Sequence, residues 1–189
     1  MSSFMLRKLL ITALFLSVLV PGPAGGQEIA GPEVRLANND VYVSFSLVPG
    51  ARYVEEIKEG IDKELKLYVD LFRVWKVWPD EFVLGKFYSR RMRVDPIKKE
   101  YVATSFDGNV IIERRFRSFE TLLAWTMSVK DLKLTNTREL EPGQYFVRIT
   151  AESKIRNLPP MIRQFFVFIS ENEFKIRKDS GFFFIEGVK

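Results

Sequence analysis

Apolar residues recur at every second position in several stretches of this chain, and the longest begins at Leu65. Leu65, Leu67, Val69 and Leu71 alternate with polar or aromatic neighbours, and Trp75 and Val77 keep the phase. A period of two is that of a strand with one buried face. Trp78-Pro79-Asp80-Glu81 interrupts it. Pro79 has no N–H for a ladder, so the pattern predicts a strand that ends there and a chain that is redirected. A second β-branched and aromatic arm, Phe82 to Val94, follows.

The same period predicts the other strands. Val34–Ala37 and Val41–Val48 flank the polar turn Asn38-Asn39-Asp40 and read as a hairpin. Tyr101–Phe106 and Val110–Phe116 flank Asp107-Gly108, a pair suited to the positive φ angles of a type I′ turn, with Val110, Ile112 and Phe116 on one face. Leu132–Leu140 reads as a strand. Tyr145–Arg156 is the cleanest amphipathic one: Tyr145, Val147, Ile149, Ala151 and Ile155 inward, Arg148, Thr150, Glu152, Lys154 and Arg156 outward. Phe165–Ile169 is apolar on both faces and predicts a central, doubly covered strand; Glu173–Arg177 and Gly181–Ile185 close the chain.

Two segments switch to helical spacing. In Ala51–Glu59, Tyr53, Val54 and Ile57 share a face, and Gly60 stands where a left-handed residue stops a helix. In Phe119–Val129, Phe119, Leu122, Leu123 and Thr126 form an inner stripe with Met127 at its edge, and Ser118 is a good N-cap. One-sided alternation indicates antiparallel rather than parallel sheet. The predicted fold is α+β: a largely antiparallel twisted sheet or sandwich of about eight strands with two α-helices, after an N-terminal signal helix.

The leader sets the organisation. Arg7 and Lys8 precede the apolar run Leu9–Val20, and Pro21–Gly26 supplies small residues for cleavage after Ala24 or Gly26. The run is shorter than the roughly 20 residues a spanning helix needs. Residues 1–26 are therefore expected to be a signal peptide, an uncleaved anchor being the alternative, residues 27–33 a linker, and residues 34–189 one domain. The expected location is periplasmic or exported, or the inner membrane if the leader stays.

Composition removes chemistry. The 189 residues contain no cysteine and no histidine. Disulfides, a lipoprotein anchor, histidine metal sites and Ser-His or Cys-His catalysis are excluded together. Without Arg7 and Lys8 the balance is 27 basic against 24 acidic residues, a mild +3. With export and no nucleic-acid motif, nucleic acid is not an expected partner.

Three groups of residues remain as candidates. Asp80 and Glu81 are adjacent carboxylates, which bind a hard cation or act as acid and base if the turn makes them converge. Otherwise Asp80 caps the turn and Glu81 is solvated. No second carboxylate cluster supports a metal, and no cofactor is expected. Arg91 and Arg93 share one face of their strand, and Arg115 and Arg117 one face of theirs. In one sheet they would make a basic patch for an anionic membrane surface or an acidic partner, unless they only guard a solvated edge. Trp75 and Trp78, with the rigid turn Leu158, Pro159 and Pro160, suit a protein interface or membrane contact if exposed.

Several landmarks occur in a particular order: Gly60-Ile61 before the long strand, Trp78-x-Asp80-Glu81, the Tyr101 strand, Phe116-x-Ser118-Phe119-Glu120, Leu158-Pro159, and Ser180-Gly181 before an aromatic residue. Together they resemble the bacterial domain-of-unknown-function family 4390, across about Val34 to Phe184. The chain departs from that pattern at Pro160, which follows Pro159 directly, and at Phe182, where the family favours tryptophan. The resemblance implies an exported or membrane-anchored bacterial protein with no established activity, in relatives encoded near a membrane histidine kinase of a two-component pair. The expected function is a non-catalytic cell-envelope domain that binds a partner protein or a lipid-like ligand. The alternatives are a membrane-anchored accessory of a two-component signalling kinase and, third, a carboxylate-based enzyme.

Overall fold

The structure, a computed structural model, describes residues 26–95, 97–155 and 172–186. The leader, the Leu158-Pro159-Pro160 turn and the expected strand Phe165–Ile169 lie outside them.

Ten described strands form two antiparallel sheets, joined by two helices. The first strand, β1 (Glu28–Ala37), pairs with β2 (Asp40–Val48). Residues 27–33 are therefore not a linker. Gly31-Pro32 sits at a register shift between Ala30 and Glu33, so the strand accommodates proline while Ile29 enters the core. The turn has two residues, not three: Asn38 and Asn39 take φ of 53° and 61°, a type I′ pair, and Asp40 already belongs to β2.

Helix α1 (Ala51–Lys58) buries Tyr53 and Ile57. Gly60, at φ 88°, ends it as expected. The Gly60 N–H donates to Ile57 O, and the Ile61 N–H to Glu56 O, which satisfies the last carbonyls in a Schellman arrangement.

The central strands are β3 (Lys63–Arg73), β4 (Glu81–Asp95) and β8 (Gly143–Ile155). Leu65, Leu67, Val69 and Leu71 have no accessible surface, and opposite them on β8 stand Ser153, Ala151, Ile149 and Val147. Burying each such leucine or valine contributes about 1.5–3 kcal/mol. The strand stops at Arg73, before the Trp75 and Val77 that keep its phase. Those two residues leave the ladder in the 74–80 loop, which reverses the chain into β4. Alternation alone does not reveal that the core ends at Leu71.

Beyond β4 come β5 (Glu100–Phe106) and β6 (Ile111–Phe116). Their connection is longer than a type I′ turn: only Gly108 has positive φ, and Asp107 Oδ1 accepts from the N–H groups of Asn109 and Val110. Val110, Ile111 and Ile112 are exposed at the start of β6, the last strand of its sheet, whose other end carries the Phe116 ring that meets Trp125.

Helix α2 (Phe119–Thr126) is capped by Ser118, whose Oγ accepts from the Thr121 N–H. It is shorter than its apolar run: Ser128 opens β7 (Ser128–Asn136), so the strand expected at Leu132–Leu140 begins earlier and gives way to a 3-10 turn at Thr137–Glu139. The chain closes with β9 (Asn172–Asp179) and β10 (Phe183–Ile185), both on the free side of β8.

The small sheet is β1-β2-β7; the large one is β10-β8-β3-β4-β5-β6, with β9 beside β8. Val41, Val43, Phe45 and Leu47 of the small sheet share one core with the inner face of the large sheet. Helix α2 packs over β4, β5 and β6.

Candidate functional site

The 74–80 loop and the adjoining strand ends carry several exposed large apolar side chains. Val77 is 88% and Trp78 75% exposed. Behind them, on the outer face of the large sheet, aromatic rings run in a line. Phe82 meets Phe72 edge-on at 5.9 Å, Phe72 stacks on Phe146 at 5.3 Å, and Phe146 meets Phe182 edge-on at 5.9 Å. The line crosses β4, β3 and β8. Phe146 is buried but stands outside the main core cluster, so the rings build a second, smaller apolar layer. Its two ends, Phe82 and Phe182, are exposed, as is Phe184. The Arg148 guanidinium lies over Phe72 at 4.8 Å and over Phe146 at 5.2 Å, held by two 2.8 Å hydrogen bonds to Asp179. Those bonds raise the Arg148 pKa, further supported by the charges of Asp179, Asp80 and Asp70.

Asp80 and Glu81 do not converge. Glu81 Oε2 accepts from Trp75 Nε1 at 3.1 Å, and Arg73 covers the Trp75 ring at 4.5 Å. Glu81 is exposed and also holds the Trp75 indole. Asp80 acts electrostatically on Arg148 instead. No group of three or more potential metal-ligating side chains occurs among the described residues.

The arginines of the basic patch do share a surface. β5 lies between β4 and β6, and the register sets Arg93, Val102 and Arg115 in one row and Arg91, Thr104 and Glu113 in the next. Arg91, Arg93, Arg115 and Arg117 are all exposed. Arg90 and Arg114 point the other way. Arg90 is buried, and its Nη1 donates to the carbonyls of Trp125, Thr126 and Ser128 at 2.8–2.9 Å. It closes the negative C-terminal end of α2. Burial lowers its pKa.

A buried polar cluster was not anticipated from the sequence. Lys63 lies in phase with Leu65 and has no accessible surface. Its Nζ is 2.5 Å from Glu56 Oε2 and 2.6 Å from Glu173 Oε1, and 5.3 Å from the Tyr53 ring centre. Ser153 Oγ lies 3.1 Å from Tyr53 Oη and 3.3 Å from Glu173 Oε2. Burial by itself would raise the Glu56 carboxyl. Hydrogen bonds from Lys63, from the protonated form of Glu173 and from Arg52 outweigh it and hold the pKa at about 2. For Glu173 burial prevails over Lys63, and its pKa is raised. A charged lysine two residues before an alternating apolar run is the signal that could have suggested such a site; its partners, on α1 and β9, are far away in sequence. The cluster ties α1, β3, β8 and β9 together, with Lys63 sealed from solvent.

The depressions in this surface are open. One of about 660 Å³ is lined by Tyr68, Asp70, Arg148, Thr150, Glu152 and Lys175, among others. No helix among the described residues is long and apolar enough to cross a membrane.

A family model described as "Domain of unknown function (DUF4390)" matches residues 26–180. No curated protein and no solved structure matches the chain.

Proposed function

The chain belongs to the DUF4390 family, and from that premise we propose that it is an exported bacterial cell-envelope protein whose domain is non-catalytic and docks a partner protein through the aromatic end of its large sheet. The observation that carries this reading is the line Phe82–Phe72–Phe146–Phe182 with Trp78 and Val77 projecting beside it. Exposed apolar side chains gathered at one end of a sheet, here Phe82, Phe182, Trp78 and Val77, mark contact sites, and tryptophan with phenylalanine is typical of their centres.

Carriage of a lipid-like ligand is less well supported. It calls for an enclosed apolar cavity, whereas the inner faces of β3 and β8 are packed without accessible surface and the described depressions are open and bear charges. A carboxylate-based enzyme is disfavoured by the divergence of Asp80 and Glu81. A membrane sensor kinase of a two-component pair is the partner class that the family resemblance suggests.

Photo-crosslinking in intact cells tests the reading, with the reactive residue at Val77 and, as a control, at Lys130. One discrete protein adduct from Val77, absent from Lys130 and lost on Trp78→Asp, is expected. A lipid adduct would favour the ligand-carrying reading, and no adduct from Val77 would overturn docking at this end.

A further inference from the structure

At the opposite end of β4 the surface changes character. β4 has 15 residues, so this corner lies about 45 Å from the 74–80 loop at the usual rise of a strand. The turn from β4 into β5 holds Ile97 out into solvent, 93% exposed. It is not loosely held: Asp95 Oδ1 accepts from the N–H groups of Ile97 and Lys98, both at 3.0 Å, and Lys99 takes φ 54°. Around it stand exposed Lys98 and Lys99, then Arg93 and Arg91 on β4, Arg115 on β6 and Arg117 just beyond.

Arg91 stands opposite Glu64 on β3 and in one row with Glu113, whereas Arg93 and Arg115 flank Val102 with no carboxylate between them. Residues Arg91 to Arg117 contain seven basic and four acidic side chains, a surplus of three. That equals the net charge of the whole chain once Arg7 and Lys8 are set aside, so the rest of the domain is balanced and the excess is concentrated here. An edge strand can be guarded by one or two charges of either sign. A net-basic cluster around a protruding isoleucine is more than that purpose needs.

We propose that this corner docks on an anionic lipid bilayer, with Ile97 entering the interfacial region and the Arg91, Arg93, Lys98, Lys99 and Arg115 side chains meeting lipid phosphates. Apolar insertion and electrostatic attraction add in such contacts. The attraction acts within a Debye length of about 8 Å at physiological salt, so it requires the arginines and the inserted tip on one surface. The inference stands independently of the partner docking proposed at the other end, which would then face away from the membrane.

Vesicle flotation of the protein purified from its envelope tests this, with phosphatidylcholine alone and with phosphatidylcholine plus phosphatidylglycerol. The ratio of the two partition coefficients cancels the apolar contribution of a retained leader, and comparison of each variant with wild type cancels the charge of Arg7 and Lys8. Wild type is expected to favour the anionic vesicles, less so as salt rises. Each basic residue at such a surface is worth about fivefold, so Arg91→Glu with Arg93→Glu should lower anionic partition by at least ~25-fold. Ile97→Ser should lower it about tenfold and leave the salt dependence intact. Lys76→Glu with Lys130→Glu changes net charge equally at other places and should change partition less than twofold. Equal partition of wild type onto both vesicles would overturn the proposal. So would an equal loss in the Lys76/Lys130 variant, which would make overall charge, not this corner, responsible.

Discussion

Replacing Lys63 by methionine tests the buried cluster most directly. Methionine nearly matches the volume of the lysine stem, so packing against Tyr53 survives while the ammonium is lost. Glu56 and Glu173 then face each other without the cation that lies 2.5 and 2.6 Å from them. Removing one partner of a buried ion pair costs about 3–5 kcal/mol, because the remaining charge stays uncompensated. Against a typical total stability of about 5–15 kcal/mol, that is a large fraction. At about 2–4 °C per kcal/mol for a domain of this size, Tm should fall by about 6–20 °C at neutral pH.

The pH dependence has a definite sign. Glu56, depressed from an ordinary 4.5 to about 2, contributes stability above pH 4.5 that is lost as pH falls through about 2. Glu173, raised, contributes in the opposite sense: its contribution is present below its ordinary value and is lost as pH rises through its folded pKa. Without Lys63 the depression of Glu56 is smaller, with Arg52 still bonded to it, so the gap between wild type and variant should narrow as pH falls from about 4.5 toward about 2. Urea unfolding followed by tryptophan fluorescence at several pH values reads this. Adding Glu56→Gln and Glu173→Gln should recover most of the loss. A Lys63→Met variant within about 1 kcal/mol of wild type at neutral pH, or a gap that does not change with pH, would refute the charge-compensation argument.

Arg90→Lys should cost about 2–3 kcal/mol, the range for hydrogen bonds to a charged donor, and hydrogen exchange should show the loss first in the last turn of α2. Gly85→Ala should destabilise by about 1–3 kcal/mol, because a Cβ there would meet Asp70 Oδ1; the double variant with Asp70→Ala should lose less than the sum of the two single variants, as the clash is removed. Phe146→Ala should cost about 3–5 kcal/mol, whereas Trp78→Ala should stay within about 0.5 kcal/mol while weakening partner capture. N-terminal sequencing of the envelope form should place its first residue after Ala24 or Gly26; an intact Met1 would show that the leader is retained.

The sequence by itself determined what depends on neighbours along the chain. Alternation identified the inner faces of β2, β3 and β8, because side chains on a strand switch sides at every residue whatever the strand packs against. Gly60 and Ser118 announced their helix ends, because caps are satisfied within one turn. The common side of Arg91 and Arg93, and of Arg115 and Arg117, followed from the same parity.

Tertiary structure decided everything that depends on which elements meet. The interposition of β5 turned two arginine pairs into one surface, and Ile111 and Ile112 stand exposed at the start of the edge strand β6 despite their apolar character. The large-sheet core ended at Leu71, which put Trp75, Val77 and Trp78 outside it although the first two keep its phase. Lys63 looked like an intrusion in an apolar face until α1 and β9 brought Glu56 and Glu173 to it, the latter 110 residues away. Burying a charge is costly unless partners converge on it, and that convergence is a property of the assembled sheets, not of any stretch of chain.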